Sequence, residues 1–291
     1  METSNQDSRV AQIVHIARDA LYETEKPFAA DFSAPGKSSN HIFDARDVVV
    51  KDARTRRARL TLDKNGFCLL ESPTSLTFES LSLDGPDSAC LAYYRQMEAL
   101  VLERFPEYSK VVVLEHQLRK RHSGYPEAVN SKHCQPARLV HRDFTTRGLF
   151  LRMDVSFPEQ EKKYRNEDMD FLNIWRVLTG PNNDWPLGLC DYASIDAEKD
   201  TIPNDMLSRT TVGENELLFA SPHHEWYYVS SQNVEEAILF RNASTDPSRS
   251  YAFHSALDLK VTDGIPRESI ELRMVAFRRA QDSPRGVSKA Q

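Results

Sequence analysis

The sequence predicts a mainly β fold with flanking helices (α+β), and three observations point to it. Beyond Pro106, short apolar runs alternate with turn residues at even spacing, a pattern typical of β-barrels and β-sandwiches. Helical periodicity is confined to the N-terminal third of the 291 residues. No internal repeat and no Gly/Ser-rich linker divides the chain. We therefore predict one domain over 1–291, in which residues 1–106 pack against a core of residues 107–278 and residues 279–291 form a polar tail.

The N-terminal third is predicted to supply two helices and two strands. Apolar residues recur at helical spacing over 9–24, which predicts a first helix there. A second helix is predicted over 87–105, where apolar residues again follow one face and Pro106 closes the segment. Between the two helices, residues 59–62 and 67–70 are predicted to form short strands around a turn.

The remainder of the chain is predicted to consist of strands and loops. The charged stretch 157–168 and the turn-rich stretch 181–184 are predicted to be loops. The predicted strands are 110–118, 137–143, 149–155, 170–177, 186–190, 216–220, 226–230, 237–241, 250–254 and 268–278.

Composition narrows the function classes. The chain has 37 Lys and Arg against 43 Asp and Glu, a net charge of -6, which argues against a dedicated nucleic-acid binder. No apolar run approaches the roughly 20 residues of a membrane span, and the polar N-terminus lacks the apolar region of a secretory signal. The four cysteines are far apart, as expected for reduced thiols. We expect a cytoplasmic protein, monomeric or homodimeric, that acts on a small molecule.

Two H-x-[DE] triplets are candidate metal-ligand pairs, although about one is expected by chance. An iron site of the 2-His-1-carboxylate type needs a third ligand from a strand distant in sequence. His141 and Asp143 end a predicted strand and share one face of it, and His254 follows 113 residues after His141. His223 and Glu225 have His254 only 31 residues after His223, which leaves little room for the same architecture. We therefore favour His141, Asp143 and His254.

The last predicted strand carries a second candidate site. Arg267, Ser269, Glu271 and Arg273 point to one face of this strand, while its apolar residues point to the other. An arginine with a hydroxyl two residues later can bind a carboxylate through charge-assisted hydrogen bonds. The R-x-S triplet follows His254 by 13 residues, which is more informative than an isolated match.

These motifs resemble those of the Fe(II)/2-oxoglutarate-dependent oxygenases, whose shared signature is H-x-D, a distal His and R-x-S. The chain looks closest to the fungal hydroxylase/desaturase-like group related to the bacterial cephalosporin 7α-methoxylation protein. The resemblance covers about residues 60–280, with one departure at Val177, where the group has Pro. The matching stretches are VHRDF at 140–144, NIWR at 173–176, DWPLGLCD at 184–191 with Ser194, WYY at 226–228, EAILF at 236–240, HSA at 254–256 and RESIELR at 267–273.

The resemblance implies a double-stranded β-helix (jelly-roll, cupin-like) fold in which His141, Asp143 and His254 hold Fe(II). It also implies that Arg267 and Ser269 bind the C5 carboxylate of 2-oxoglutarate. The reaction implied is O2-dependent oxidation of an unactivated C–H bond in a natural-product intermediate or amino acid, with release of succinate and CO2. Hydroxylation, desaturation and oxidative cyclisation such as aziridine formation all stay open.

Further residues are predicted to line the site. Asn173 is predicted to contact the cosubstrate, and the arginines near the site favour a carboxylate-bearing substrate. The predicted substrate contacts are Arg121, Arg147, Arg176 and Trp226. Two alternatives stay open: a cupin-like metalloenzyme that uses Zn or Mn without 2-oxoglutarate, and a non-catalytic small-molecule-binding protein. A kinase catalytic loop is rejected, because Gly148 stands where that loop requires Asn.

Overall fold

The computed structural model describes residues 8–32, 37–81, 86–127, 131–261 and 264–279, so residues 280–291 of the predicted tail lie outside the described part. The strands within these ranges are β1 (Ser8–Ile16), β2 (Phe28–Ala30), β3 (Phe43–Asp52), β4 (Phe67–Glu71), β5 (Tyr108–Lys120), β6 (His141–Arg142), β7 (Met169–Val177), β8 (Leu187–Cys190), β9 (Thr201–Leu207), β10 (Val212–Leu218), β11 (Trp226–Tyr228), β12 (Glu236–Ser244), β13 (His254–Ala256) and β14 (Glu268–Arg278). The α-helices are α1 (Leu62–Asn65), α2 (Ser88–Arg104), α3 (Thr146–Ser156), α4 (Glu161–Tyr164) and α5 (Ala197–Asp200).

The strands form two sheets. One has the order β1-β3-β11-β8-β13-β6-β10-β9-β2, and the other has the order β4-β12-β7-β14-β5. Most neighbouring strands are antiparallel, whereas β3 with β11 and β2 with β9 are parallel. Backbone bridges also join β1 to Leu139, Phe219 and Asp258. The nine-stranded sheet therefore curls until its first strand meets segments that flank β6, β10 and β13.

The five-stranded sheet is covered on both faces. Trp175 of β7 and Phe240 of β12 point towards the nine-stranded sheet and pack with Leu189 of β8 and Tyr227 of β11. On the opposite face, α2 packs its buried residues, among them Met97, against the outward-facing residues of the same sheet. All nine residues of β7 are consequently buried, as expected for a strand with a covered sheet on each side.

The predicted helix over 9–24 is wrong. Residues Ser8–Ile16 form β1, which pairs with β3 along its entire length, and only a short 3-10 helix, Ala20–Glu23, follows. Ala11 and Ile13 are buried while Val10 is 60% exposed, so side chains alternate with a period of two near the strand's start. The spacing of the β-branched residues is compatible with the period of a helix and with that of a strand. Pairing with the distant β3 selects the strand.

Two predicted strands are also helical. Residues 59–62 end a 3-10 helix (Ala53–Arg59) and begin α1, which Thr61 caps and which ends at Gly66 with φ 82°. Residues 149–155 lie in α3, whose first turn is capped by the hydroxyl of Thr145. Leu149 and Met153, four residues apart, form the buried side of α3, so helical spacing was present in the sequence.

The remaining predictions are largely confirmed. The helix over 87–105 and the strands over 67–70, 110–118, 170–177, 186–190, 226–230, 237–241 and 268–278 are present, and 216–220 overlaps β10. The predicted strands 137–143 and 250–254 contract to β6 and to the first residue of β13. The loop over 157–168 contains α4, and 181–184 contains no helix or strand. Strands β2, β3 and β9 were not predicted.

Candidate metal centre

Strand pairing brings the two candidate histidines together. In the nine-stranded sheet His141 of β6 is the direct partner of His254 of β13, and their ring centroids are 4.4 Å apart. Asp143 follows β6 directly, and its Oδ1 lies 3.4 Å from Nε2 of His141. One ligand atom from each of the three residues lies within 4.8 Å of the other two. The three residues are thus arranged so that one metal ion can contact all of them.

The protonation states suit a divalent metal. Nδ1 of His141 donates to the carbonyl of Leu139 at 2.7 Å, which leaves the lone pair on Nε2, the nitrogen nearer Asp143. Burial and the neighbouring His141 lower the pKa of His254 to about 3, so its imidazole is neutral at pH 7. Burial opposes ionisation of Asp143, but Arg273 and the two histidines outweigh it and hold the pKa of its carboxyl well below the usual range. Two imidazoles and a carboxylate are a donor set that fits Fe(II).

The two oxygens of Asp143 differ in their surroundings. Oδ2 accepts hydrogen bonds from Nδ2 of Asn173 at 2.7 Å and from Nε of Arg273 at 2.9 Å. Oδ1 faces His141 and has a longer contact, 3.3 Å, with Nη2 of Arg273. The backbone N–H of Asp143 donates to Asn242 at 2.9 Å. The carboxylate is therefore fixed through Oδ2, with Oδ1 presented to the histidines.

A narrow inner cavity extends from the histidines to Arg267. Its lining includes Arg119, His141, Trp175, His254, Arg267 and Glu271. Arg267 is 1% exposed, donates from Nη1 to the carbonyl of Trp185 at 2.6 Å, and lies with its guanidinium 5.5 Å from the ring centroid of Trp175.

The end of this cavity near Arg267, called the anchor end, has hydrogen-bond donors without acceptors. Neither Nε of Arg267 nor Oγ of Ser269 has a hydrogen-bond partner among the described residues, and both atoms are buried. Burial and the charge of Arg119 lower the pKa of Arg267 to about 9. A buried guanidinium N–H and a buried hydroxyl without acceptors are costly unless an anion binds them. The pair fits a carboxylate such as the distal one of 2-oxoglutarate.

A wider outer cavity of about 690 Å³ opens on the other side of the ligand set. His141, Asp143 and Arg273 line it together with Glu115 and Arg152. Nη1 of Arg273 lies 3.0 Å from Oε1 of Glu115, and Nη2 of Arg152 lies 2.8 Å from Oε2 of the same side chain. A continuous chain of ion pairs therefore connects Asp143 with the wall of the outer cavity.

Asn173 contacts a candidate metal ligand, and two of the predicted substrate arginines lie outside both cavities. The Asn173 amide binds Asp143 and does not belong to the described lining of either cavity. Arg147 is paired with Glu214 at 2.7 Å, and its side chain is 63% exposed. Arg176 is buried on the α2 side of β7 and donates to the carbonyls of Ser72 and Val234, so its predicted substrate contact is wrong. Residues 173 and 176 are three apart in a strand and therefore face opposite sides.

Arg121 and Trp226 also do not belong to the described lining of either cavity. Nε of Arg121 lies 2.5 Å from Asp184, whose carboxylate also accepts from the backbone N–H of Arg267, so Arg121 supports the anchor end indirectly. Trp226 is 1% exposed, and its ring lies edge-on to that of His15 within the core. The predicted substrate contact of Trp226 is wrong because both faces of β11 are covered.

The competing triplet is not assembled into a metal site. His223 is exposed, and Glu225 pairs with Lys51 at 2.8 Å. Among the described residues, only His141, Asp143 and His254 form a group of three suitable ligands. Many residues that line the outer cavity were not among the predicted site residues. Glu115 and Arg119 are four apart on β5, and this even spacing was a usable signal. Charged examples are Glu115, Arg119, Arg138 and Arg152.

The known proteins that this chain is similar to include oxidoreductases and oxygenases. A family model described as an oxidoreductase/YMDC permease-like domain matches residues 17–277. The chain is 25% identical over 266 residues to "Hydroxylase/desaturase CTB9" of Cercospora beticola, covering 83% of this chain and 79% of that protein. It is 29% identical over 252 residues to "Fe(II)/2-oxoglutarate-dependent dioxygenase nvfI" of Aspergillus novofumigatus, covering 84% of this chain and 87% of the relative.

A solved structure shares the fold. It is described as the iron and alpha-ketoglutarate-dependent endoperoxidase NvfI with different conformation, and it superposes with a TM-score of 0.81 at 24% identity. The alignment covers 94% of this chain and 100% of the other. The predicted mainly β jelly-roll fold is thereby confirmed. No helix in the described ranges is long and apolar enough to cross a membrane.

Proposed function

The chain belongs to the family described as an oxidoreductase/YMDC permease-like domain and is an Fe(II)/2-oxoglutarate-dependent oxygenase of small molecules, and we propose that His141, Asp143 and His254 hold its iron. The observation that carries this proposal is the approach of three ligand atoms from three chain positions to within 4.8 Å of one another. The relatives named above are fungal enzymes, one titled a hydroxylase/desaturase and one a dioxygenase. The resemblance predicted from the motifs is thus confirmed at the level of family and cofactor class.

We propose that Arg267 and Ser269 bind the distal carboxylate of 2-oxoglutarate. Their buried, unpartnered donors support this assignment, as does the inner cavity that connects them with His141 and His254. When bound, iron would activate O2, and 2-oxoglutarate would supply two of the electrons for reduction of O2 as it is oxidised to succinate and CO2. The chain contributes position: Asn173 and Arg273 fix the carboxylate of Asp143, and Trp175 closes one wall of the cavity against water.

The substrate class proposed is a natural-product intermediate or an amino acid, oxidised at an unactivated C–H bond. Hydroxylation, desaturation and oxidative cyclisation all require a substrate in the outer cavity, beside His141 and Asp143. The two alternatives from the sequence, a metalloenzyme without 2-oxoglutarate and a binding protein, do not agree with the oxygenase relatives.

We also propose one domain and a cytoplasmic location. Strands from before residue 107 contribute to both sheets, since β1 and β3 belong to the larger and β4 to the smaller, which supports a single unit. The four cysteines are free, as is usual in a reducing compartment.

The test is anaerobic addition of Fe(II) and 2-oxoglutarate, followed by visible absorption spectroscopy. A weak charge-transfer absorption from the chelated keto acid is expected in the wild type. Asp143→Ala should abolish it, and Arg267→Ala should raise the dissociation constant of 2-oxoglutarate while Fe(II) still binds. His223→Ala is the matched control and should behave as the wild type does. An absorption that survives Asp143→Ala, or iron binding that requires His223, would show the ligand assignment to be wrong.

A further inference from the structure

The described lining of the outer cavity contains four acids and four arginines, and not every arginine is paired with an acid. Four arginines line it, and two of them are already paired: Arg152 and Arg273 both contact Glu115, and Arg273 also contacts Asp143. The other two, Arg119 and Arg138, form no ion pair with any residue in the described ranges. Arg138 is not among the residues predicted from the sequence to bind substrate.

Arg119 stands at the boundary between the two cavities. It is the partner of Ser269 in the pairing of β5 with β14, and it lines both the inner and the outer cavity. Its Nη1 donates to the carbonyl of Gln135 at 2.6 Å, which fixes one edge of the guanidinium. The guanidinium is thus held in place by a neutral group, with its charge left for a ligand.

Arg138 is oriented by an aromatic ring. Its guanidinium carbon lies 5.7 Å from the ring centroid of Trp185, and that ring packs against Tyr125 at 4.7 Å. A cation–π contact fixes the position of the cation without neutralising it. Burial raises the pKa of Tyr125 to about 12 against the opposing charges of Arg138, Arg267 and Arg119, so three guanidinium groups act on this one side chain.

One cosubstrate carboxylate does not balance these charges. The distal carboxylate of 2-oxoglutarate offers one negative charge, and Arg267 with Ser269 is its assigned partner. Glu271, the acid of the inner cavity, has its ion pair with Arg273, at 3.4 Å. Arg119 and Arg138 then have no ion-pair partner among the described residues, an arrangement that favours a second anion.

The wall of the outer cavity also carries apolar side chains, beside polar ones such as Asn204 and Thr211. Leu151, Val155, Met206 and Val212 line it, and the last three are 54%, 42% and 48% exposed. Exposed apolar side chains gathered at one cavity indicate a surface that a ligand covers. The volume of about 690 Å³ suits a small organic molecule.

We infer that the substrate is a carboxylic acid with an apolar body. This inference rests on the proposed function, because it takes the outer cavity beside His141 and Asp143 to be the substrate site. Arg138 and Arg119 bind the carboxylate through charge-assisted hydrogen bonds, and the apolar side chains of the wall contact the body of the molecule. Substrate recognition thereby belongs to these two arginines, with Arg147 outside the site.

The experiment uses the full chain loaded with Mn²⁺ and saturating 2-oxoglutarate, and two probes of nearly equal shape, 2-naphthoate and the uncharged 2-naphthamide. Isothermal titration should show that the wild type binds the acid about tenfold more tightly than the amide. Arg138→Gln should abolish this preference, and Arg138→Lys should retain part of it. Arg57→Gln is the matched control, because Arg57 pairs with Glu71 and neither residue belongs to the described lining of the cavity, and it should keep the full preference.

Three results would overturn the inference. The first is equal binding of acid and amide by the wild type, and the second is an acid preference that survives both Arg138→Gln and Arg119→Gln. The third is a rise in the dissociation constant of 2-oxoglutarate in Arg138→Gln, which would assign this arginine to the cosubstrate. Failure of the wild type to bind Mn²⁺ and 2-oxoglutarate would instead contradict the proposed function, so the two failures are distinguishable.

Discussion

Asn173 shows how one hydrogen bond can prepare a metal ligand. Its amide and the guanidinium of Arg273 both hold Oδ2 of Asp143, so Oδ1 stays directed at the histidines. Partners of this kind typically contribute 10- to 100-fold, as an order of magnitude, to metal affinity. We therefore regard Asn173 as a positioning residue for Asp143, which replaces the cosubstrate contact predicted from the sequence.

Asn173→Ala is expected to weaken Mn²⁺ binding by about 10- to 100-fold, because Asp143 would lose one of the two donors that orient it. Isothermal titration of the metal-free protein measures the effect without turnover. Asn183→Ala is the control, since the Asn183 amide contacts Ser231 and does not belong to the described lining of either cavity. Unchanged metal affinity in Asn173→Ala would mean that Arg273 alone orients the carboxylate.

His15 is the clearest case of a buried titratable side chain outside the metal centre. It is 1% exposed, and neither ring nitrogen has a hydrogen-bond partner among the described residues. Burial and the nearby His224 lower its pKa from 6.5 to about 4. Between these two pH values the unfolded chain binds a proton that the folded chain does not, so the free energy of unfolding falls as the pH drops below 6.5.

His15→Phe should remove this pH dependence while keeping a ring against Trp226. The free energy of unfolding of the wild type should fall by about 2 kcal/mol more than that of the variant between about pH 7 and about pH 5. Urea unfolding at the two pH values measures the difference. Parallel pH profiles for the two proteins would show that His15 is protonated in the folded state or hydrated there.

At the scale of elements, α2 was predictable because two independent signals agreed on it. Its apolar face repeats at helical spacing, and Pro106 follows its end. In the structure its buried side packs on the outer face of the five-stranded sheet, away from the metal centre. The helix therefore stabilises the scaffold without taking part in the site.

Met97→Ala is accordingly expected to lower the free energy of unfolding by about 2–5 kcal/mol, because Met97 is fully buried in this core. Leu91→Ala on the same helix is the matched control, since Leu91 is 42% exposed and should cost under about 0.5 kcal/mol. Urea unfolding gives both values. The dissociation constants for Mn²⁺ and 2-oxoglutarate should not change in either variant, and a loss of metal affinity in Met97→Ala would show that α2 is coupled to the site.

Some features of strand β14 could be predicted from the sequence and others could not. Its alternating face was predicted, and that face does carry Arg267, Ser269, Glu271 and Arg273 inwards. Which of these side chains reaches Asp143 could not be predicted, because it depends on the register with β7 and on the irregularity between Arg273 and Met274 opposite β5. Register over long sequence separations is set by the assembled sheets, and a single sequence contains little record of it.

The wrong predictions have more than one cause. Strand β1 was predicted as a helix because its pairing partner, β3, went unrecognised. Arg176 was predicted beside Asn173 although a strand places residues three apart on opposite faces. Local periodicity was sufficient for most of the strands. The wrong assignments concern long-range pairing, the face of a strand and, at α3, a helical spacing that was predicted as a strand.

At the scale of the whole molecule, the site belongs to no single element. The proposed iron ligands lie on or beside two neighbouring strands of the nine-stranded sheet, and their support comes from β7 and β14 of the other sheet. Metal binding should therefore resist separation of the two sheets. In the unfolded chain the three ligands are dispersed over more than 100 residues, so the ion binds the folded state preferentially.

This linkage gives a quantitative expectation. Mn²⁺ at 100 times its dissociation constant should raise the free energy of unfolding by about 2.7 kcal/mol, with a corresponding rise in Tm that a chelator reverses. Adding 2-oxoglutarate should raise Tm further in the wild type and not in Arg267→Ala, whose response to the metal alone should be intact. Asp143→Ala should respond to neither. A metal-induced rise in Tm that persists in Asp143→Ala would place the ion elsewhere in the molecule. A 2-oxoglutarate response that persists in Arg267→Ala would contradict the assignment of Arg267 to the cosubstrate without affecting the assignment of the three metal ligands.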